Sequence, residues 1–213
     1  MGGDILKKIL CFFILPVAFI LTRIPLVKET SQIISFGLFI SVDFAVSLLF
    51  YFMLKRIKFN LQKSVITAVA LAAADQLIKV IVYRFDFNLK IVGDFLRIEP
   101  TKNLNQTAMF NFLGLELNGT FIIIFKAVLL LVLFYIFVKA KYKGVYLEYA
   151  FVLLLSASIA TLADSVAWGY TLDYVYFSKL TCYDLKDFYV DTAIGFVLIE
   201  ILFNRKKLDT IQE

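Results

Sequence analysis

Histidine is absent from all 213 residues, cysteine occurs twice, proline three times and glycine nine times. Without imidazole, Ser-His and Cys-His nucleophile systems and histidine-ligated metal sites are excluded, which leaves any catalysis to carboxylates, lysine, tyrosine and hydroxyls. Cys11 lies inside an apolar run and Cys182 in a loop between two runs. They are too far apart in depth to pair, so no disulfide framework is expected and both read as packed or idle thiols. Few prolines and glycines suit a compact helical bundle, and no linker, repeat or low-complexity tract divides the chain. Nor are the basic residues gathered on one soluble face, as nucleic-acid binding would require.

What the chain has is apolar length. It is 61% hydrophobic, with a mean hydropathy of +0.84, and its apolar residues come in runs rather than with a 3.6-residue period. Runs long enough for a hydrocarbon core of roughly 30 Å can be drawn at Ile9–Leu26, Ile33–Leu54, Ser64–Tyr83, Thr120–Val138, Leu147–Trp168 and, shorter, Val190–Phe203. The expected fold is an all-α polytopic membrane protein with six transmembrane helices. The first 25 residues combine a basic start with an apolar stretch, but that stretch ends in Thr22-Arg23-Ile24-Pro25 without a small-residue cleavage site, so it reads as a retained helix.

Every second connection is basic: Lys7 and Lys8, then Lys55 to Lys63, then Lys139 to Lys143, then Arg205 to Lys207. Lysine and arginine beside short loops stay on the cytoplasmic side, so both termini are expected there and the net charge of +5 is mostly topology. The segment 84–118 is too long for a plain connection. Its stretch 87–99 alternates apolar and polar residues, which predicts a small extracytoplasmic β segment on the membrane. Polar content is sparse before the basic stretch and dense after it, which divides the chain into an accessory hairpin, residues 1–58, and a four-helix functional core, 59–213. Asp43 is the single intramembrane acid of that hairpin.

Ionised groups at helix depth cost at least a few kcal/mol, so such residues normally face the bundle interior and find partners. Asp75 and Lys79 stand four apart on one helical face and can pair. Asp164 falls near the outer end of the fifth run, Asp173 follows the turn at Gly169, and Asp191 opens the sixth. At 1.5 Å per residue Asp75 lies roughly 18 Å, and Asp191 roughly 21 Å, from the cytoplasmic edge, so three segments bring carboxylates to one outer level. Two carboxyls held close cannot both ionise; one keeps its proton while the other polarises a water for attack on an amide. An ion or proton pathway and a structural hydrogen-bond cluster remain alternatives on these residues alone.

The blocks carrying these residues resemble, in order, those of the signal peptidase II family of intramembrane aspartic proteases. Asp75-Gln76-Leu77-Ile78-Lys79 is similar to the family's Asp-Gln-x-x-Lys, and Asn105-Gln-Thr-Ala-Met-Phe110 to its Asn-x-Gly-Ala-Ala-Phe. Asp164-Ser165 and Gly169-Tyr-Thr-Leu-Asp173-Tyr174 resemble Gly-Asn-x-x-Asp-Arg and its continuation, and Asp187-Phe-Tyr-Val-Asp191 resembles Phe-Asn-x-Ala-Asp. The resemblance covers about residues 64–205. It implies that Asp173 and Asp191 are catalytic, that Asn105 holds substrate backbone, and that Asp75, Lys79 and Asp164 brace the site, with no metal or cofactor. It further implies a diacylglyceryl-modified prolipoprotein as substrate, cleaved at the outer face of a bacterial inner membrane, with membrane lipids as the other partner. Thr107, Thr161, Ser165 and Phe188 depart from the family's Gly, Asn, Arg and Asn. The loss of the Arg removes the expected partner of Asp164. A changed shell keeps a second expectation open, a non-catalytic descendant that binds lipidated peptides or lipids, with Phe188 plugging the gap between the two acids. A small transporter would need a polar path to the cytoplasmic side, where only Glu200 is available.

Overall fold

The computed structural model describes residues 2–23, 30–103, 118–140, 144–178 and 180–204. The chain begins with α1 (Gly2–Leu10), a 3-10 turn (Cys11–Phe13) and α2 (Ile14–Arg23), followed by α3 (Thr30–Leu54) and α4 (Leu61–Arg84). Two strands, β1 (Leu89–Val92) and β2 (Leu96–Asn103), precede α5 (Gly119–Ala140) and α6 (Val145–Ala167). Then come β3 (Thr171–Phe177), β4 (Thr181–Tyr183) and α7 (Leu185–Phe203). Five stretches, 5–22, 32–54, 61–84, 119–139 and 145–167, are helical and apolar enough to cross a bilayer. Their outward residues, such as Leu77 on α4 and Leu131 on α5, are exposed from the protein and suit acyl chains. The fold is thus that of a polytopic helical membrane protein.

The sixth expected span differs at its start. The helix begins at Leu185, five residues ahead of the apolar run, because Asp184 caps it. The Asp184 carboxylate accepts from the Asp187 N–H at 3.2 Å, and the Asp187 carboxylate accepts from the Asp184 N–H at 3.1 Å. This reciprocal cap satisfies donors that hydropathy cannot foresee. Asp191 therefore sits inside the second turn of α7 rather than at its opening. With Lys186, Asp187, Asp191 and Glu200 in its length, α7 is not among these five apolar stretches, and it packs most extensively against α6.

The expected β segment is present but larger than its sequence suggests. β1 to β4 form one antiparallel sheet in that order. It joins the α4–α5 and α6–α7 connections, because β2 pairs with β3, with Leu96 opposite Phe177, Thr101 opposite Asp173 and Asn103 opposite Thr171. Gly169, at φ +71°, makes the turn from α6 into β3. The stretch containing Asp173 is thus a buried inner strand.

The N-terminal helices are packed against α7. Phe12 meets the Phe196 ring edge-on at 5.3 Å, Phe50 meets Tyr189 at 5.1 Å, and the Ser47 and Thr192 hydroxyls lie 2.9 Å apart. At the sheet end of the bundle Phe39 packs on Phe177 and Tyr183, at 5.3 and 5.1 Å. Gly195 makes this close approach possible, since a Cβ there would clash with a carbon at the edge of the Phe12 ring. Phe12 is held between Tyr51 and Phe196 and has little room to retreat. Gly195→Ala is accordingly expected to cost about 1–3 kcal/mol, read as a lower thermal unfolding midpoint in detergent, and Phe12→Ala in the same chain is expected to restore part of the loss.

Candidate active site

Lys79 projects from α4 into the bundle with no exposed surface, and three carboxylates meet its ammonium group. Asp75, one turn earlier, lies at 2.8 Å; Asp164 from α6 at 2.8 Å; Asp184, the cap of α7, at 2.7 Å. The i,i+4 pair expected from the sequence therefore forms the core of a larger cluster. Gln76 extends it, donating to the Asp164 carboxylate at 2.7 Å while its own carbonyl accepts from the Trp168 indole at 3.2 Å. A second ammonium, that of Lys186, pairs with Asp184, lies 3.3 Å from Asp164, and reaches Asp173 at 3.9 Å. The sequence expects Asp164 to lack a partner once the family's Arg is replaced by Ser165. Instead it has two lysines, from α4 and α7.

Asp173 is held by the sheet. The Asn103 amide on β2 donates to its carboxylate at 3.2 Å. The next residue, Tyr174, accepts the Leu185 N–H on its hydroxyl at 3.0 Å, which ties β3 to the first turn of α7. Asp173 and Asp191 line one cavity of about 440 Å³ together with Asn103, Thr161, Tyr183, Lys186 and Asp187. An apolar groove of about 170 Å³ adjoins it, lined by Lys126, Leu129, Leu154 and Ala157, and sharing Thr161 and Val190 with the cavity. Lys126 of α5 donates to the Ser165 hydroxyl at 2.6 Å, so a cation reaches the position where the family carries its Arg.

Burial pushes the Asp173 carboxyl above the usual carboxylate range, with Asp184 adding to the rise while Lys186, Asn103 and Lys79 pull against it. Asp184 moves the other way. Burial alone would raise it, but the Lys186 and Lys79 ammonium groups more than offset that and hold it below the usual range. The carboxylates of Asp173, Asp184 and Asp187 each offer an oxygen within 4.8 Å of the others, a donor set that could hold a hard cation. The Lys186 ammonium already lies among them, against Asp184 and near Asp173, and supplies the positive charge there.

The structure thus gathers Asp75, Lys79 and Asp164 into one ionic cluster and places Asp173 and Asp191 on the wall of the adjoining cavity. Asn105 lies outside the described residues, as does Thr107. Several residues at the site escaped the sequence reading. Asn103 sits on the strand two residues before Asn105. Asp184 and Lys186 stand in Tyr183-Asp-Leu-Lys-Asp187, where Asp-x-x-Asp before an apolar run is a cap signal. Gln76 belongs to a block already singled out. Asp43, from the supposedly accessory hairpin, lies fully buried against Asp191.

The sequence model of the family described as Signal peptidase (SPase) II matches residues 67–203. The chain belongs to the signal peptidase II family. Two solved structures titled as bacterial membrane enzymes, determined by the in meso method at 1.9 Å and 2.3 Å, share its fold. The first superposes with a TM-score of 0.58 at 20% identity, covering 69% of this chain and 97% of its own. The second gives 0.56 at 22% identity, covering 71% and 93%. Among curated protein sequences nothing matches this chain. As a member of the signal peptidase II family the chain is a multi-pass bacterial membrane protein of protease type. The family match begins within α4, so α1 to α3, including Asp43, lie ahead of it.

Removing one partner from a buried ionic cluster strands the others without counter-charge. Lys79→Met should therefore destabilise the protein by about 3–5 kcal/mol, measured as a fall in the unfolding midpoint of the detergent-solubilised protein. The double variant Lys79→Met, Asp184→Asn should recover part of that loss.

Proposed function

We propose that this protein is an intramembrane aspartic endopeptidase that removes signal peptides from diacylglyceryl-modified prolipoproteins at the outer face of the bacterial inner membrane. The observation that carries the reading is that Asp173, from β3, and Asp191, from α7, line one polar cavity inside a chain of the signal peptidase II family. In this reading Asp173 holds the proton and Asp191 is the ionised partner. Asp191 takes a proton from water as the water oxygen bonds to the scissile carbonyl carbon and the Asp173 proton passes to the carbonyl oxygen. When the resulting diol collapses, the C–N bond breaks, the amine leaves with the proton from Asp191, and a diol hydroxyl returns its proton to Asp173. The base then sets the acid limb of the pH profile and the proton holder the alkaline limb.

The outer location follows from charge. Lys55, Arg56, Lys58 and Lys63 cluster at the α3–α4 connection, at the end of α4 away from Lys79, and basic connections remain cytoplasmic, with both termini on that side. The apolar groove beside Lys126 suits an acyl chain, and its junction with the cavity at Thr161 and Val190 would set the lipidated cysteine next to the two acids. Asn103 and Asn105 are the candidates to hold substrate backbone, while Asp75, Lys79 and Asp164 brace the site. The reading needs no metal or cofactor. A non-catalytic binding protein would be favoured by a plug between the acids. Phe188, the residue suited to that part, is instead buried with its ring 5.4 Å from Tyr183 and is not among the cavity's lining residues.

Purified protein should cleave a diacylglyceryl-modified prolipoprotein, and Asp173→Asn and Asp191→Asn should each lower the rate by about 10²–10⁴-fold while remaining folded. Failure of the folded parent to cleave would turn the reading to another substrate or to binding. Lys186 favours the ionised form of Asp173, so its removal makes Asp173 hold its proton to higher pH. In Lys186→Gln the alkaline limb of the cleavage profile should therefore move upward by about 1 pH unit.

A further inference from the structure

Asp43 is a buried acid that the cluster of lysines does not reach. It lies midway along α3 with no exposed surface. Among the described residues no ordinary donor serves either of its oxygens. Its carboxyl stands in hydrogen-bonding contact with that of Asp191, whose other partner is the Tyr183 hydroxyl. The contact is built rather than incidental. One turn before Asp43, Phe39 packs on Tyr183 at 5.1 Å, and one turn after it the Ser47 hydroxyl meets that of Thr192, the neighbour of Asp191, at 2.9 Å. Residues 39, 43 and 47 thus form a stripe on α3 that seats Asp43 against Asp191.

Two carboxyl groups with no cation between them make such a contact only when one carries a proton. Asp43, sealed from water, bears the larger cost of ionising, whereas Asp191 faces a cavity and accepts a second hydrogen bond from Tyr183. The other titratable groups around the pair are Asp187 and Lys186 on α7 and Asp173 across the cavity on β3. We propose that Asp43, supplied by the N-terminal hairpin, is a positioning residue that stays protonated and donates its hydrogen bond to Asp191, keeping Asp191 ionised as the base of the dyad. The hairpin is then a working part of the site, through a residue lying ahead of the family match. This rests on the reading of Asp191 as the base.

The test uses the full chain with Asp43→Asn, which keeps a neutral donor, and Asp43→Leu, which removes it. In Asp43→Leu the acid limb of the kcat/KM profile for prolipoprotein cleavage should move to higher pH by about 1 unit, with Asp43→Asn close to the parent. Unchanged limbs in Asp43→Leu, or a uniform loss at every pH in both variants, would overturn the proposal. Infrared difference spectra need no cleavage and separate this idea from the proteolytic reading. The parent at neutral pH should show a protonated-carboxyl stretch that Asp43→Asn lacks. If the folded Asp43→Asn protein retains every such band, Asp43 is not the protonated member and the proposal fails, whether or not the parent cleaves.

Discussion

The Lys79 ammonium, shut away from water, lies 2.7–2.8 Å from carboxylates on α4, on α6 and at the start of α7. In an apolar slab this contact is strongly directional. An ammonium or a carboxylate left alone there is expensive, so the three segments have one low-energy arrangement, with their acids around the same cation. The depth of α4 relative to α6, the entry point of α7 and the height of β3 above them all follow from it. Tyr174 and Lys186 carry the constraint onward, the first by accepting the Leu185 N–H and the second by reaching from Asp184 and Asp164 to Asp173.

Asp184 shows how closely folding and electrostatics are joined here. The same carboxylate caps α7, answers Lys79 and binds Lys186. Its ionised form is favoured by all three roles, and the two lysines hold it below the usual range despite its burial. Asp173, nearby, has only a 3.9 Å approach from Lys186 and one amide donor, and burial prevails. Carboxyls within one small volume are thereby shifted in opposite directions by their number of donors.

The helices were legible because apolar length and basic flanks are local properties. So was the Asp75–Lys79 pair, whose spacing fixes its geometry. The start of α7 was misread since a polar capped turn carries no hydropathy signal, and that error put Asp191 at the head of the helix instead of in its second turn. The isolation of Asp164 was a misreading of another kind. Its partners, Lys79 and Lys186, come from distant positions, and Lys126 approaches Ser165 from a third helix, so no local pattern could announce them. The join of β2 to β3 is likewise a long-range pairing. Asp43 stood in plain view as the single intramembrane acid of the hairpin, but its neighbour is 148 positions along the chain, and only packing of α3 on α7 reveals it.

Burial of α7 is lopsided. Phe12, Phe50 and Ser47 cover the flank that faces the N-terminal helices, and Phe12 fits closely over Gly195 there. On the opposite flank, Val190 and Thr161 border the groove beside Leu129 of α5. Relative to a four-helix core, the N-terminal helices cover a flank of α7 that would otherwise face the membrane. A lipid tail lying in that groove would meet the cavity of Asp173 and Asp191 from the α5 side, and so with a fixed handedness relative to the two acids.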